Sequence, residues 1–154
     1  MESSIDAMAL YDAWSELDKG SKAKLRRVDS PDKLLDIPVF YVLAGKFGWP
    51  EQRYALQRII FCLATGVIKN SDDETLSLGK ALAKTEKISS QRIIQLIRYE
   101  HPNDMAQLRR MLIHAGPELQ LHWPSLVKLL QWWSKYDRRS VMENFVLSSQ
   151  KNNA

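Results

Sequence analysis

The sequence predicts an all-α protein, a compact bundle of about eight helices in two small lobes. Three observations carry that expectation. Apolar residues recur with helical spacing along nearly the whole chain. Gly, Pro, Ser and Asp fall between those runs, where helix caps and stops belong. Alternating strand patterns, Asn-Gly hairpin signals and internal repeats are absent. At 154 residues, 45% hydrophobic and 26% charged, the composition is globular rather than disordered and fits one domain over 1–154.

Over 5–17, Ile5, Met8, Ala9, Trp14 and Leu17 lie near one face, with Asp6, Asp12 and Glu16 on polar positions. Gly20-Ser21 breaks the chain, and Ser21 is placed to cap a short helix carrying Lys24 to Val28. "DSPDKLLDIP" reads as a loop. Asp36 then caps a helix with the body "PVFYVLAGKF", which Gly48 stops. Pro50 opens the 16-residue pattern "PEQRYALQRIIFCLAT", closed by Gly66. Residues 67–75, "VIKNSDDET", are the most loop-like interior stretch, and a candidate lobe boundary falls near 67–90.

A short helix follows around 76–84. Ser89 or Ser90 caps "QRIIQLIRYE", and Pro102-Asn103-Asp104 starts "MAQLRRMLIHA", which Gly116-Pro117 ends. Pro124 and Ser125 open "LVKLLQWWSKY". Asp137 caps a last helix running to about Ser149, with "QKNNA" as a frayed tail.

Composition narrows the function. The net charge is +4 and the isoelectric point about 9.2, a balance that favours polyanionic partners. A lone cysteine, Cys62 in "IIFCLA", excludes an intrachain disulfide and fits core packing. Acids at Glu2, Asp6 and Asp12 are the opposite of a signal peptide's start, and no run reaches about 18 apolar residues. The expectation is a cytoplasmic protein with no membrane partner.

Catalytic constellations are missing. His101, His114 and His122 share no metal-ligand spacing. "SLGK" at 77–80 lacks the earlier glycine and the trailing Ser/Thr of a phosphate loop. "SPD" at 30–32 has no acid-x-Lys partner of the kind a restriction-type nuclease uses. Asp72, Asp73 and Glu74 read as a solvated loop. No enzyme, metal or cofactor is expected.

Positive charge is distributed differently. "KGSKAKLRRV", residues 19–28, holds five cations and no acid. It fits a solvated face, a magnet for an acidic protein or a phosphate cradle. Arg26 and Arg27 point about 100° apart, so one faces outward best and the other is left to an acid such as Asp29 or Asp32. On "SSQRIIQLIRYE", Ile93, Ile94 and Ile97 form the apolar stripe, and Arg92, Gln95 and Arg98 or Tyr99 share an exposed side. On the next helix Met105, Leu108 and Leu112 point inward, while Gln107, Arg110 and His114 repeat the polar spacing. Arg53 and Gln57 make a similar i, i+4 pair, and Lys135, Arg138 and Arg139 cluster late in the chain, partly offset by Asp137. Each pair alone fits a solvated helix. Gathered on one surface, they would grip phosphates bidentately. Trp132 and Trp133 are also about 100° apart, which leaves one in the core and the other under a neighbouring helix, on a protein contact or stacked on a base.

The order of blocks "IDAMALYDAW", "KLRRVDSPDKLLDIPVFYVLAGKFGW", "SLGKALA", "RIIQLIR", "DMAQLRRMLIHA", "WWSKYDRR" and "NFVLSSQKN" resembles the CasB-type small subunit of Cascade, the type I-E CRISPR surveillance complex. The similarity runs from about residue 5 to the C-terminus and departs most over 50–75. The resemblance implies a helical, non-catalytic subunit present twice per complex, its copies touching end to end. It implies neighbours among the backbone subunits on the guide RNA and the large subunit, and a role in holding target and displaced DNA strands open. Arg27, Arg53, Arg92, Arg98, Arg110 and Lys135 are the strand contacts it implies, with Arg26 and Arg109 adjacent and Lys22 and Lys24 adding early charge. A helix-turn-helix regulator, a basic helical scaffold for acidic proteins and a nuclease are the rival classes.

Overall fold

The computed structural model describes residues 4–152. Nine α-helices and two 3-10 turns make up the described chain, joined by one pair of two-residue strands. Helix α1 (Ala7–Ser15) starts at Asp6, whose Oδ1 accepts the Ala9 N–H at 3.1 Å. Its buried side is turned slightly from expectation: Ala7 and Leu10 are enclosed, and Ala9 faces solvent. Helix α2 (Lys19–Arg26) begins earlier than predicted. Asp18, not Ser21, is the cap, and its carboxylate takes both the Ser21 N–H at 3.0 Å and the Ser21 hydroxyl at 2.6 Å. Gly20 therefore lies inside the first turn rather than breaking the chain.

Pro31–Asp36 is a 3-10 turn, and α3 (Pro38–Ala44) follows with Pro38 at its start and no side-chain cap, so Asp36 does not play that part. Helix α3 stops well before Gly48. Turns fill the gap to α4 (Arg53–Leu63), which starts three residues after Pro50. Helix α4 is the central element, with Leu56, Ile59, Ile60 and Phe61 fully enclosed.

The loop-like segment after Gly66 buries one residue in the core. Ile68 is buried, and β1 (Lys69–Asn70) pairs in parallel with β2 (Gln120–Leu121), Lys69 opposite Gln120 and Asn70 opposite Leu121. The Asn70 side-chain oxygen accepts the Trp123 N–H at 2.9 Å and so caps α8 (Trp123–Trp132). A 3-10 turn at Gly116–Glu118 precedes β2. Trp123 in turn donates its Nε1–H to the Ala7 carbonyl at 2.8 Å, and the buried side chains form one cluster from Ile5 to Phe145.

Ser77 caps α5 (Leu78–Thr85) and Ser89 caps α6 (Ser90–Arg98). Helix α7 (Asn103–Ala115) ends at Gly116. Helix α8 stops at Trp132, shorter than predicted, because Trp133 takes the left-handed conformation (φ +46°) and sends its Nε1–H to Asp104 Oδ2 at 2.9 Å. Helix α9 (Lys135–Asn152) then starts from a reciprocal cap. Asp137 Oδ2 accepts the Ser134 N–H at 2.8 Å, and Ser134 Oγ accepts the Asp137 N–H at 3.2 Å. Asp137 is thus the inner partner of the cap, and the helix runs past Ser149 into the predicted tail. Helices α5 and α9 cross so closely that a Cβ at Gly79 would lie 2.3 Å from the Val141 carbonyl oxygen.

Candidate nucleic-acid interface

The basic residues fall into two sets according to what their head groups touch. Three arginines are used inside the fold, each at the C-terminal end of a helix that it does not belong to. Such ends leave carbonyls without helical partners and carry partial negative charge. Arg58 donates from Nε to the Leu130 carbonyl at 2.7 Å and from Nη2 to that of Gln131 at 2.9 Å, closing α8. Arg138 Nη1 donates to the carbonyls of Tyr99 at 2.8 Å and Ile97 at 3.4 Å, closing α6, and lies 4.0 Å from the buried Asp104 carboxylate. Arg109 Nη2 donates to the Arg26 carbonyl, closing α2, while its guanidinium lies over the Phe61 ring at 5.0 Å. Burial holds the Arg58 and Arg109 guanidinium groups below their usual pKa.

Arg138 therefore does not present a head group on the surface. Its position is legible in hindsight: it lies three residues before Val141 and seven before Phe145, on the buried face of α9. Arg139, its neighbour, is the exposed one.

Arg92, Arg98, Arg110, Lys24, Arg26, Arg27, Arg53 and Lys135 are exposed. Gln107, an amide placed by the sequence on an exposed face and found buried, ties the Arg92 backbone of α6 to the Arg110 side chain of α7. Gln107 Nε2 donates to the Arg92 carbonyl at 3.3 Å and to Gln95 Oε1 at 3.1 Å, and Gln107 Oε1 accepts from Arg110 Nη2 at 3.3 Å. The amide is a bolt between the Arg92 backbone and the Arg110 guanidinium, and both arginines are exposed. His114 lies one turn further along α7, also exposed. Arg98, at the far end of α6, sits instead with Arg139 in a groove against α9.

Helix α7 links this seam to the early basic stretch, because Arg109 reaches α2 while Gln107 reaches α6. Lys24, Arg26 and Arg27 are exposed at the end of α2, and Lys22 rides over the Trp14 ring at 5.0 Å. The ion pair anticipated for Arg26 or Arg27 does not form. Asp29 binds Lys33 at 2.7 Å, which pulls its carboxyl below the ordinary range, and Asp32 meets His101 at 3.1 Å. Arg53 is exposed over the Trp49 ring at 5.9 Å with Nε on the Pro50 carbonyl at 3.3 Å. Its expected companion Gln57 is buried against Pro31 and Asp32. Lys135 is exposed at the start of α9.

Of the tryptophans, Trp133 is enclosed and Trp132 is 59% exposed. Cys62 is buried and its thiol is pushed up to about 12 by burial. His122 is bonded to Ser125 at 2.6 Å. Among the described residues no group of His, Cys, Asp or Glu is arranged to hold a metal ion, and no helix is long and apolar enough to cross a membrane.

A family model described as CRISPR-associated protein Cse2 matches residues 21–147. The chain belongs to the Cse2 family. The Cse2 chain is 48% identical, over 161 aligned positions, to the CRISPR system Cascade subunit CasB of Escherichia coli (strain K12), covering 99% of both chains. Its fold superposes with a TM-score of 0.92 and 50% identity on a chain from E. coli Cascade bound to a PAM-containing dsDNA target, covering 97% of this chain and 99% of the other. M. ruber CasB shares the fold at a TM-score of 0.70 and 18% identity, covering 98% of each. The resemblance carried by the ordered sequence blocks is thus upheld at the level of family and fold.

Proposed function

We propose that this Cse2 chain is the small subunit of a Cascade-type CRISPR ribonucleoprotein. In that assembly it steadies the target and displaced DNA strands through backbone contacts and has no catalytic part. Its partners there are a second copy of itself, the backbone and large subunits and the guide RNA. The observation that carries the reading is the Gln107 bolt. Its amide ties the Arg92 carbonyl to the Arg110 guanidinium, both arginines are exposed, and the acids nearest Arg26 and Arg27 in the chain, Asp29 and Asp32, are engaged elsewhere. Lys24 and Arg53 extend the basic surface, with Lys135 at the start of α9 and Lys22 at the margin.

Exchanging a DNA duplex for an RNA–DNA hybrid and a loose strand is nearly balanced, so a few phosphate contacts tip it. Contacts of this kind carry no base information, so sequence preference is slight. About five phosphates neutralised on a single strand give a log–log salt slope near −3 to −4, at roughly −0.7 per contact.

The test is Arg92→Ala with Arg110→Ala in the complex assembled with guide RNA. Retention of target DNA should fall roughly tenfold or more at low salt, and the slope should shrink by about 1.4 for two lost contacts. An unchanged affinity and slope would exclude this face as the strand contact. A footprint on a defined duplex by the isolated chain would favour the helix-turn-helix class instead.

A further inference from the structure

Arg98 and Arg139 stand apart from the Arg92–Arg110 seam. They line one end of a groove of about 430 Å³ between α6 and α9, floored by Ile94, Ile97 and Met142. Ile94 and Met142 carry the floor on to Val146 in a narrow, apolar cleft of about 60 Å³. Val146 is 39% exposed and the adjoining Leu147 53%, so the aliphatic strip along α9 is uncovered. Neither guanidinium has an ion-pair partner among the described residues, although Glu143 follows Arg139 by one turn of α9.

We infer that this groove docks an amphipathic helical segment of a neighbouring protein subunit. Its aliphatic side chains seat on Ile94, Ile97, Met142 and Val146, and its carboxylates meet Arg98 and Arg139. The dimensions suit such an occupant. The nine residues of α6 extend about 13 Å, room for anchors at i, i+3 or i+4, and i+7 of a docked helix. The charge pattern specifies the rest: two exposed cations that form no ion pair among the described residues, confined to one end, call for acids at one end of the partner. A DNA strand fits less well. Strand grooves carry cations along their length and aromatic rings on which bases stack, whereas this floor is aliphatic. The inference rests on the chain working inside an assembly, and not on its arginines gripping DNA.

Cross-linking in the complex assembled with guide RNA and target DNA tests it. Val146→Cys supplies an accessible thiol, since Cys62 is buried, and a benzophenone maleimide is attached there. Lys128→Cys, on exposed surface of α8, is the control position. Irradiation should join position 146, and not 128, to a segment of another subunit that alternates carboxylates with aliphatic residues. Arg98→Glu with Arg139→Glu, both exposed and so compatible with the native fold, should lower incorporation of the subunit on the order of tenfold. Incorporation is scored in the complex with guide RNA before DNA is added, where the strand contacts play no part, so this inference and the strand reading fail separately. Cross-links to DNA, to a second copy of this chain or to no partner would overturn the docking assignment, as would normal incorporation of the charge-reversed variant.

Discussion

Replacing Arg138 by alanine should weaken the fold and leave the free basic surface intact. The guanidinium is largely enclosed, with the side chain 18% exposed, and it supplies charge-assisted bonds to the carbonyls of Ile97 and Tyr99. Such bonds contribute about 1.5–3 kcal/mol where an ionised group takes part. Removal also strips the buried Asp104 carboxylate of its nearest cation, at 4.0 Å. Breaking a tight buried pair costs about 3–5 kcal/mol, but this one is long, and Asp104 keeps the Trp133 Nε1–H at 2.9 Å and the Met105 N–H at 2.7 Å. The net loss should therefore be about 2–3 kcal/mol. For a domain of this size that lowers Tm by about 4–12 °C. Thermal and urea unfolding of the isolated chain measure it, with Arg139→Ala as the exposed neighbour, expected within about 0.5 kcal/mol of the parent. Equal melting of the Arg138 variant and the parent would refute the reasoning, as would an equal loss in both variants.

Gly79→Ala should destabilise despite the roughly 1 kcal/mol that alanine gains over glycine in a helix, because its Cβ would meet backbone atoms of Val141 and Phe145 at 2.3 and 2.8 Å. Overpacking of this kind costs about 1–3 kcal/mol or more, so urea midpoints at or above the parent's would contradict the close α5–α9 crossing. The Cys62 thiol, raised to about 12, should resist a thiol reagent at about pH 8 and react only on unfolding; rapid labelling of the native chain would contradict its burial. The Asp18 carboxylate sits below its usual pKa chiefly through the Ser21 hydroxyl bond, then the Ser21 N–H, so its stabilisation is present above the unfolded value near 4 and is lost as pH falls through the lower folded value. Asp18→Asn, which keeps a cap, should flatten the acid limb of stability followed by far-ultraviolet circular dichroism; an unaltered limb would remove Asp18 from that account.

How much the sequence discloses depends on the range of the interaction. Ser77, Ser89 and Gly116 mark helix ends through bonds within a few residues, and they do so in the structure. The break at Trp133 has no local signal. A left-handed tryptophan is held by Asp104, 29 positions away, so periodicity carried α8 straight through it. The β1–β2 pair is equally silent, since two-residue strands have no alternation to detect. The amides were misplaced for a different reason. Gln57 and Gln107 fall on buried faces, Gln107 three residues after the buried Asp104 and four before Met111. Reading them as surface partners of arginine followed residue type over position. The family was legible chiefly through its ordered blocks, and the strand-binding role we propose was not legible from single residues, because an arginine on a helix looks the same whether it meets a phosphate or a carbonyl.

That ambiguity has a physical resolution in this fold. Arg58, Arg109 and Arg138 each lie on one helix and close the C-terminal carbonyls of another. Their charges offset partial negative charge already present in the backbone. They contribute to the formal +4 yet offer little to an external anion, so a salt slope scaled to all the arginines would overstate the contacts. Only cations with open head groups should release counterions. The same division explains why the two members of each adjacent pair behave differently. Within Arg109–Arg110 and Arg138–Arg139, the 100° step of the helix sends the first residue into a neighbouring helix end and the second outward. Exchanging the roles by mutation should therefore not be symmetric. Arg109→Gln should loosen α2 from α7 and lower the melting temperature, while Arg110→Gln, which gives up one bond to Gln107, should lower it far less.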